Sequence, residues 1–253
     1  MGLTSVAFSI VFLLAFPWVS RANIILPTGP ATGANSISDG DRTQLTKMLG
    51  WGTSSKLLSE PYPLGGDSGL EVGISVETIP ISQLAYMGTG TPPQQNFSFP
   101  KVNIGKGLYK DLDVFVHFIP YSEDTRISEY GGILRWGFYQ ALFPPSNFSL
   151  LVHANSSNVS NAIITQTYGA DIVTGVTFPT FSFYAGAGWI SSQANFMLTT
   201  GASGAINGAI NTATASGYRT FLGGVFSFSD FFASFEVDQY DQTVFSTKFG
   251  VRY

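Results

Sequence analysis

The chain has no cysteine, few charges and, past its first residues, no long apolar run. Without cysteine there is neither a disulfide framework nor a thiolate metal site. Only 11% of its 253 residues are charged, against roughly 25% in an ordinary soluble domain. The net charge of −4 excludes a general nucleic-acid binder, which should be basic. Histidine occurs only at His117 and His153, metal ligands are not evident, and neither a metal nor a cofactor is expected. What is present is an ordinary hydrophobic share, 44%, and 28 glycines. Such a length suits two ordinary domains or one large all-β barrel.

Residues 6–16, VAFSIVFLLAF, form one uncharged apolar run. It is shorter than the roughly 20 residues that a spanning helix needs. Pro17 follows, and Ser20 and Ala22 place small residues at −3 and −1 of a cut after Ala22. That order reads as a secretory signal peptide over 1–22, although residues 1–5 lack a basic side chain. Removal would leave 11 basic and 16 acidic residues.

From residue 68 onward the chain alternates with period two. Leu70, Val72, Ile74 and Val76 oppose Glu71, Gly73, Ser75 and Glu77. Leu112, Val114, Val116 and Phe118 oppose Asp113, Phe115 and His117. Tyr130, Leu134, Trp136 and Phe138 oppose Arg135, Gly137 and Tyr139. The same parity puts His153, Asp171, Arg219, Glu236, Lys248 and Arg252 on the polar face. A soluble sandwich alternates too. Two details favour a membrane barrel: the polar set is rich in Gly and Ser with charges of both signs, and the apolar runs end in Tyr130, Tyr168, Trp189 and Tyr218, as interfacial girdles would.

The expected fold is an all-β antiparallel transmembrane β-barrel of about ten strands, with eight or twelve left open, preceded by a short helical or irregular segment. Strands fall near 68–80, 98–106, 111–120, 127–143, 147–155, 162–175, 178–190, 217–228, 231–238 and 243–253. Alternate connections are then all short, while the others include the two longest. This is the asymmetry of short periplasmic turns and longer outer loops. Residues 191–216 contain Gly201-Ala202-Ser203-Gly204, but the lysine of a phosphate loop is missing, so 199–217 reads as an outer loop. Residues 23–67 lack alternation. Asp39 opens a short helix through Leu45, Met48 and Leu49, ended by Gly50. This segment is expected to be periplasmic or to plug the lumen, and the barrel to occupy 68–253.

The chain closes on Phe249, Val251 and Tyr253 on one face, with Lys248, Gly250 and Arg252 on the other. This resembles the C-terminal assembly signal of bacterial outer-membrane proteins. Together with the export signal, the short helix before Pro63-Leu64-Gly65-Gly66, the hairpin Lys106-Gly107-Leu108 with Leu112-Asp113, and Tyr168-Gly169-Ala170-Asp171, the chain resembles uncharacterised outer-membrane β-barrel proteins of Gram-negative bacteria, notably predatory and delta-type lineages. The likeness spans about residues 40–253. It implies the bacterial outer membrane as location, membrane lipid and the barrel assembly machinery as partners, and no catalytic residue.

Inward-facing Glu71, Asp113, His117, Arg135, His153, Asp171, Arg219, Glu236, Lys248 and Arg252 read as a polar lumen network. The expected function is a non-enzymatic barrel with a largely occluded lumen: a narrow channel or transport barrel for a small solute, or an envelope structural protein. Two alternatives stand beside it. One is a rim hydrolase of the omptin type using His117 and His153; the other is a soluble secreted β-sandwich or adhesin.

Overall fold

The computed structural model describes residues 24, 26, 39–87, 93, 96–119, 127–142, 145–196 and 211–253; the export segment read over 1–22 lies outside them. Ten strands are present: β1 (Leu70–Pro80), β2 (Asn96–Tyr109), β3 (Leu112–Ile119), β4 (Ile127–Leu142), β5 (Pro145–Val159), β6 (Ile163–Thr177), β7 (Phe181–Phe196), β8 (Asn211–Phe228), β9 (Phe231–Gln239) and β10 (Thr243–Arg252). Each pairs antiparallel with the next, and β10 pairs with β1 to close the barrel. Eight and twelve strands are thereby excluded. Closure leaves no unpaired sheet edge, which is what allows strands to stand in hydrocarbon.

The alternation sends apolar side chains outward. Val116 and Leu134 are 46% and 45% exposed, Ile172 58% and Leu222 58%, while their inward neighbours are buried. Trp189 lies opposite Tyr218 in register and its ring sits 5.6 Å from that of Tyr168, so an aromatic girdle crosses β6, β7 and β8. A second band, with Tyr109, Trp136, Phe148, Phe178 and Phe228 exposed, lies toward the opposite end. The lipid-facing runs between the bands, such as Phe181 to Trp189 and Tyr218 to Phe228, match the roughly 9–11 residues of a tilted membrane-spanning strand. An even-stranded closed barrel, apolar outside and charged inside, is the architecture of single-chain barrels of bacterial outer membranes. The protein is such a barrel.

One rim carries the short connections 110–111, 143–144, 178–180 and 229–230; the other carries 81–95, 120–126, 160–162, 197–210 and 240–242. The second, with the longer connections, is called the outer rim, after the short-turn, long-loop asymmetry of such barrels. Here β5 to β8 stand above the girdle. Their outward residues Ser156, Gln166, Gln193 and Thr214 align in one row across the four strands. This is why two expected boundaries move. β7 runs on to Phe196 and β8 begins at Asn211, so the outer loop read over 199–217 is shorter than expected, and 199–210 lies outside the described residues.

A β-bulge corrects one inward assignment. The register of β4 on β5 shifts between Gly137 and Tyr139. The extra residue reverses the parity, so Tyr139 faces outward, 55% exposed, with its ring 6.0 Å from that of Phe148.

Candidate functional site: a threaded, ion-paired lumen

The lumen is filled by the chain's own N-terminal part. Helix α1 (Asp39–Leu45) continues as a wider π-helical stretch, Thr46–Trp51. Gly50 therefore does not end the helix, contrary to its expected stop role. Its place is explained by contact with the barrel wall: a Cβ there would lie 2.7 Å from Ser192 Oγ, and Thr167 Oγ1 donates to the Gly50 carbonyl at 3.1 Å. Only glycine lets the helix backbone approach this closely.

The segment then descends through the barrel, and its partners fix each level. At the outer rim Gln44 donates to Gln83, Lys47 pairs with Asp241, and Gln242 donates to the Met48 carbonyl. The Trp51 ring lies 6.2 Å from that of Tyr240. Lower down, Asn155 and Lys101 donate to the Thr53 carbonyl at 3.1 and 3.0 Å. Ser55 meets His117 at 3.3 Å, and Arg219 donates to its carbonyl at 2.9 Å. The Leu58 amide donates to Glu236 at 3.2 Å, and Ser59 to Glu71 at 2.8 Å. Near the short-turn rim Asn147 donates to the Pro61 carbonyl, and the Leu64 amide to Asp113 at 3.1 Å. The chain then enters β1.

Three ion-pair groups line this path. In the first, Glu71 holds Lys248 and Arg252, Arg252 also reaches Glu60, and Arg135 pairs with Asp113 at 2.7 Å. In the second, Lys101 bridges Glu77 at 3.0 Å and Glu129 at 3.4 Å. His117 lies 2.9 Å from Glu129, and Lys56 3.6 Å from Glu77. In the third, Arg219 sits between Asp171 at 3.0 Å and Asp238 at 3.8 Å, with His153 3.3 Å from Asp171. Glu236 is held by neutral donors instead: the Tyr184 hydroxyl at 2.6 Å and the Leu58 amide. In the outer turn, burial pushes the Tyr240 hydroxyl well above the ordinary phenol range, and nearby Asp238 adds to this. Tyr240 stays neutral and donates to Asp238 at 3.4 Å.

Two apolar layers divide these charges. Above all three groups Leu45, Met48, Leu49 and Trp51 pack against Ile79, Phe97, Phe99, Ile119, Ile127 and Ile163 from the wall. Between the first group and the other two, Leu57 packs with Phe115, Ile133, Leu151, Val173 and Phe221. Arg135 and Arg219 lie 4.9 and 4.6 Å over the rings of Phe115 and Phe221, within cation–π range.

All ten residues read as the lumen network face inward, and each has a polar partner from another strand or from the segment. They fall into separate groups, so Glu71 and Asp171 share no direct pair. Glu77, Lys101, Glu129 and Asp238 also belong to the lumen, and the same parity marks all four. Lys56 and Glu60 come from the threaded segment, where no periodicity marks them. Of the terminal residues, Phe249 and Tyr253 point outward, 54% and 70% exposed, and Val251 lies opposite Val72. Tyr253 exchanges backbone hydrogen bonds with Leu70 at 2.9 and 3.0 Å. Among the described residues there is no cluster of three or more His, Asp or Glu able to hold a metal.

No family model matches the chain, and no curated protein matches it. Among solved structures it is similar to Ail, the attachment invasion locus protein of Yersinia pestis, at 12% identity over 73% of this chain and 97% of that one, with a TM-score of 0.28. Neisserial surface protein A shows 12% identity over 74% and 97%, with a TM-score of 0.30. BamA from Haemophilus ducreyi lacking POTRA domains 1–3 shows 10% identity over 78% and 41%, with a TM-score of 0.35. These values are too low to carry function across.

Proposed function

We propose that the protein is a closed, non-enzymatic outer-membrane barrel with a structural role in the envelope, and that its resting lumen does not conduct. One observation carries this reading: residues 46–64 run the length of the lumen and are hydrogen-bonded to the wall at every level. A ten-strand barrel is only slightly wider than the eight-strand size whose interior side chains alone can fill. One extra strand of chain with bulky Trp51, Leu57 and Leu58 is enough to close it. The rim-hydrolase alternative finds less support. His117 and His153 are 5% and 2% exposed and lie beneath the upper apolar layer, away from any open rim.

Planar-bilayer recording tests the reading. The protein lacking 1–22 should show no steady conductance. Removing residues 23–60 as well should raise it in any fraction that keeps the heat-modifiable gel shift of a folded barrel. Stable, porin-like conductance from the intact chain would replace the structural role with that of a diffusion pore. The C-terminal face of Phe249, Val251 and Tyr253 is proposed as the contact read by the assembly machinery.

A further inference from the structure

The outward face of the barrel changes character above the girdle. On β5 to β8 two rows of side chains stand there. The first is Ser156, Gln166, Gln193 and Thr214; the second is Asn158, Ile164, Asn195 and Thr212. Ile164 is the one apolar member, and none is charged. Gln193 and Thr214 lie four residues beyond Trp189 and Tyr218, about 10 Å farther from the midplane. Gln166, Gln193 and Thr214 are exposed, and among the described residues none hydrogen-bonds their side chains. Between these rows and the girdle, Ser191 and Ser216 share a hydrogen bond of 2.8 Å, beside the exposed rings of Tyr168, Trp189 and Tyr218.

Charge is missing from this face. Among the outward side chains of the described strands only Lys106 is ionised, and it lies at the short-turn rim, donating to the Asp67 carbonyl. A phosphate or carboxylate head group would meet no arginine or lysine here, the side chains that hold such anions. A polar group that needs no counter-charge fits instead. A sugar is such a group. Its hydroxyls donate and accept, as the side chains of Ser, Thr, Asn and Gln do, and the C–H face of its ring packs on the apolar body of an aromatic side chain.

The two rows continue the lipid-facing wall. Ile172, Ala187 and Leu222 share their outward parity below the girdle. A lipid whose acyl chains run along that wall carries its head group past the girdle and onto the rows. We propose that the outer extension of β5 to β8 binds the uncharged sugar head group of a glycolipid in the outer leaflet. Gln166 and Gln193 supply the hydrogen bonds and Trp189 the ring contact. This rests on the reading of the protein as an outer-membrane barrel with its short turns in the periplasm.

Vesicles of phosphatidylcholine, phosphatidylglycerol and digalactosyldiacylglycerol in equal parts supply the probe. The protein lacking 1–22 is folded into them and extracted in mild detergent, and the lipid that stays bound is identified by native mass spectrometry. The expected result is retention of the galactolipid over both phospholipids. Gln166→Ala combined with Gln193→Ala should lower that retention by roughly fivefold for each hydrogen bond lost. Gln193→Lys should move it toward phosphatidylglycerol. Both positions lie outside the hydrocarbon, so each variant is expected to keep the heat-modifiable shift. Galactolipid retained no better than phosphatidylcholine, or phosphatidylglycerol preferred by the unmodified chain, overturns the proposal. A galactolipid preference that survives the double variant, or that Gln193→Lys leaves unmoved, places the lipid elsewhere on the barrel and overturns the assignment to this face. A chain without the heat-modifiable shift overturns the barrel reading itself. The orientation is read separately, in a chain that has no cysteine of its own. Gln193→Cys should react with a membrane-impermeant maleimide on intact cells; reaction only after the outer membrane is permeabilised overturns the outer-leaflet assignment and leaves the barrel standing.

Discussion

An arginine placed at Leu134 should cost the barrel roughly 2–4 kcal/mol, the penalty for a cation near the bilayer midplane on a lipid-facing strand position. The depth follows from β4. Tyr130 is 69% exposed at the upper girdle, and Leu134 lies four residues along the same outward face. At roughly 3.3 Å per residue and a tilt of about 40°, that is about 10 Å into an apolar band about 25 Å tall. Gln193 supplies the control. It faces outward on β7 four residues beyond Trp189, above the girdle, so Gln193→Arg should cost about 0–1 kcal/mol. The inward position Gly137 is no neutral comparison, because a Cβ there would lie 2.7 Å from Pro63 of the plug. Urea titration of the three proteins in lipid vesicles, followed by tryptophan fluorescence, gives the differences. Equal losses at 134 and 193 would refute the lipid-facing assignment.

Arg135→Met should destabilise by about 3–5 kcal/mol, because it leaves Asp113 buried and unpaired; adding Asp113→Leu should recover most of that loss in the same titration. Gly50→Leu should loosen the plug, since its Cβ would meet Ser192, and the expected readout is faster proteolysis of residues 39–60 with the heat-modifiable barrel retained. Deleting Tyr253, or replacing it with Asp, should lower the folded protein recovered from the outer membrane and leave unfolded chain in the periplasm; unchanged surface levels would remove the assembly-signal reading.

The barrel is legible because lipid and lumen impose opposite demands on successive residues, so parity alone sorts Val116 from His117 and Leu134 from Arg135. Legibility fails where one of the two demands disappears. Above the girdle the outward face of β7 is polar, while its inward face is small where it meets the Gly50 backbone and the upper apolar layer, so Ser191, Ser192, Gln193, Ala194 and Asn195 carry no alternation to read. At Phe138 one extra residue reverses the parity with no proline to announce it, and strict alternation puts Tyr139 on the wrong face. The plug is legible only as a region without pattern. Its contacts are individual and distant in sequence, Ser55 with Arg219 and Leu58 with Glu236, and no local spacing encodes them. The direction of threading is equally invisible, because it depends on which rim Gln44 and Lys47 find.

The plug and the closure of the barrel are tied at one carboxylate. Glu71 stands on the first strand, while Lys248 and Arg252, which neutralise it, stand on the last. Ser59 of the plug donates to the same carboxylate, and Glu60 of the plug takes the remaining side of Arg252. Before β10 arrives, a buried Glu71 would be an uncompensated charge, which costs several kcal/mol. Before the plug arrives, Arg252 would lack one of its two acids. Pairing of β1 with β10 and docking of residues 59–60 therefore stabilise each other. The topology adds an order to this coupling. A chain fixed at its downstream end to β1 reaches the outer rim most simply if it lies inside before the last strand closes the wall around it. The seam, which in a bare barrel is a single ladder of backbone hydrogen bonds between the first and last strands, is here also held from within by the chain that the barrel encloses.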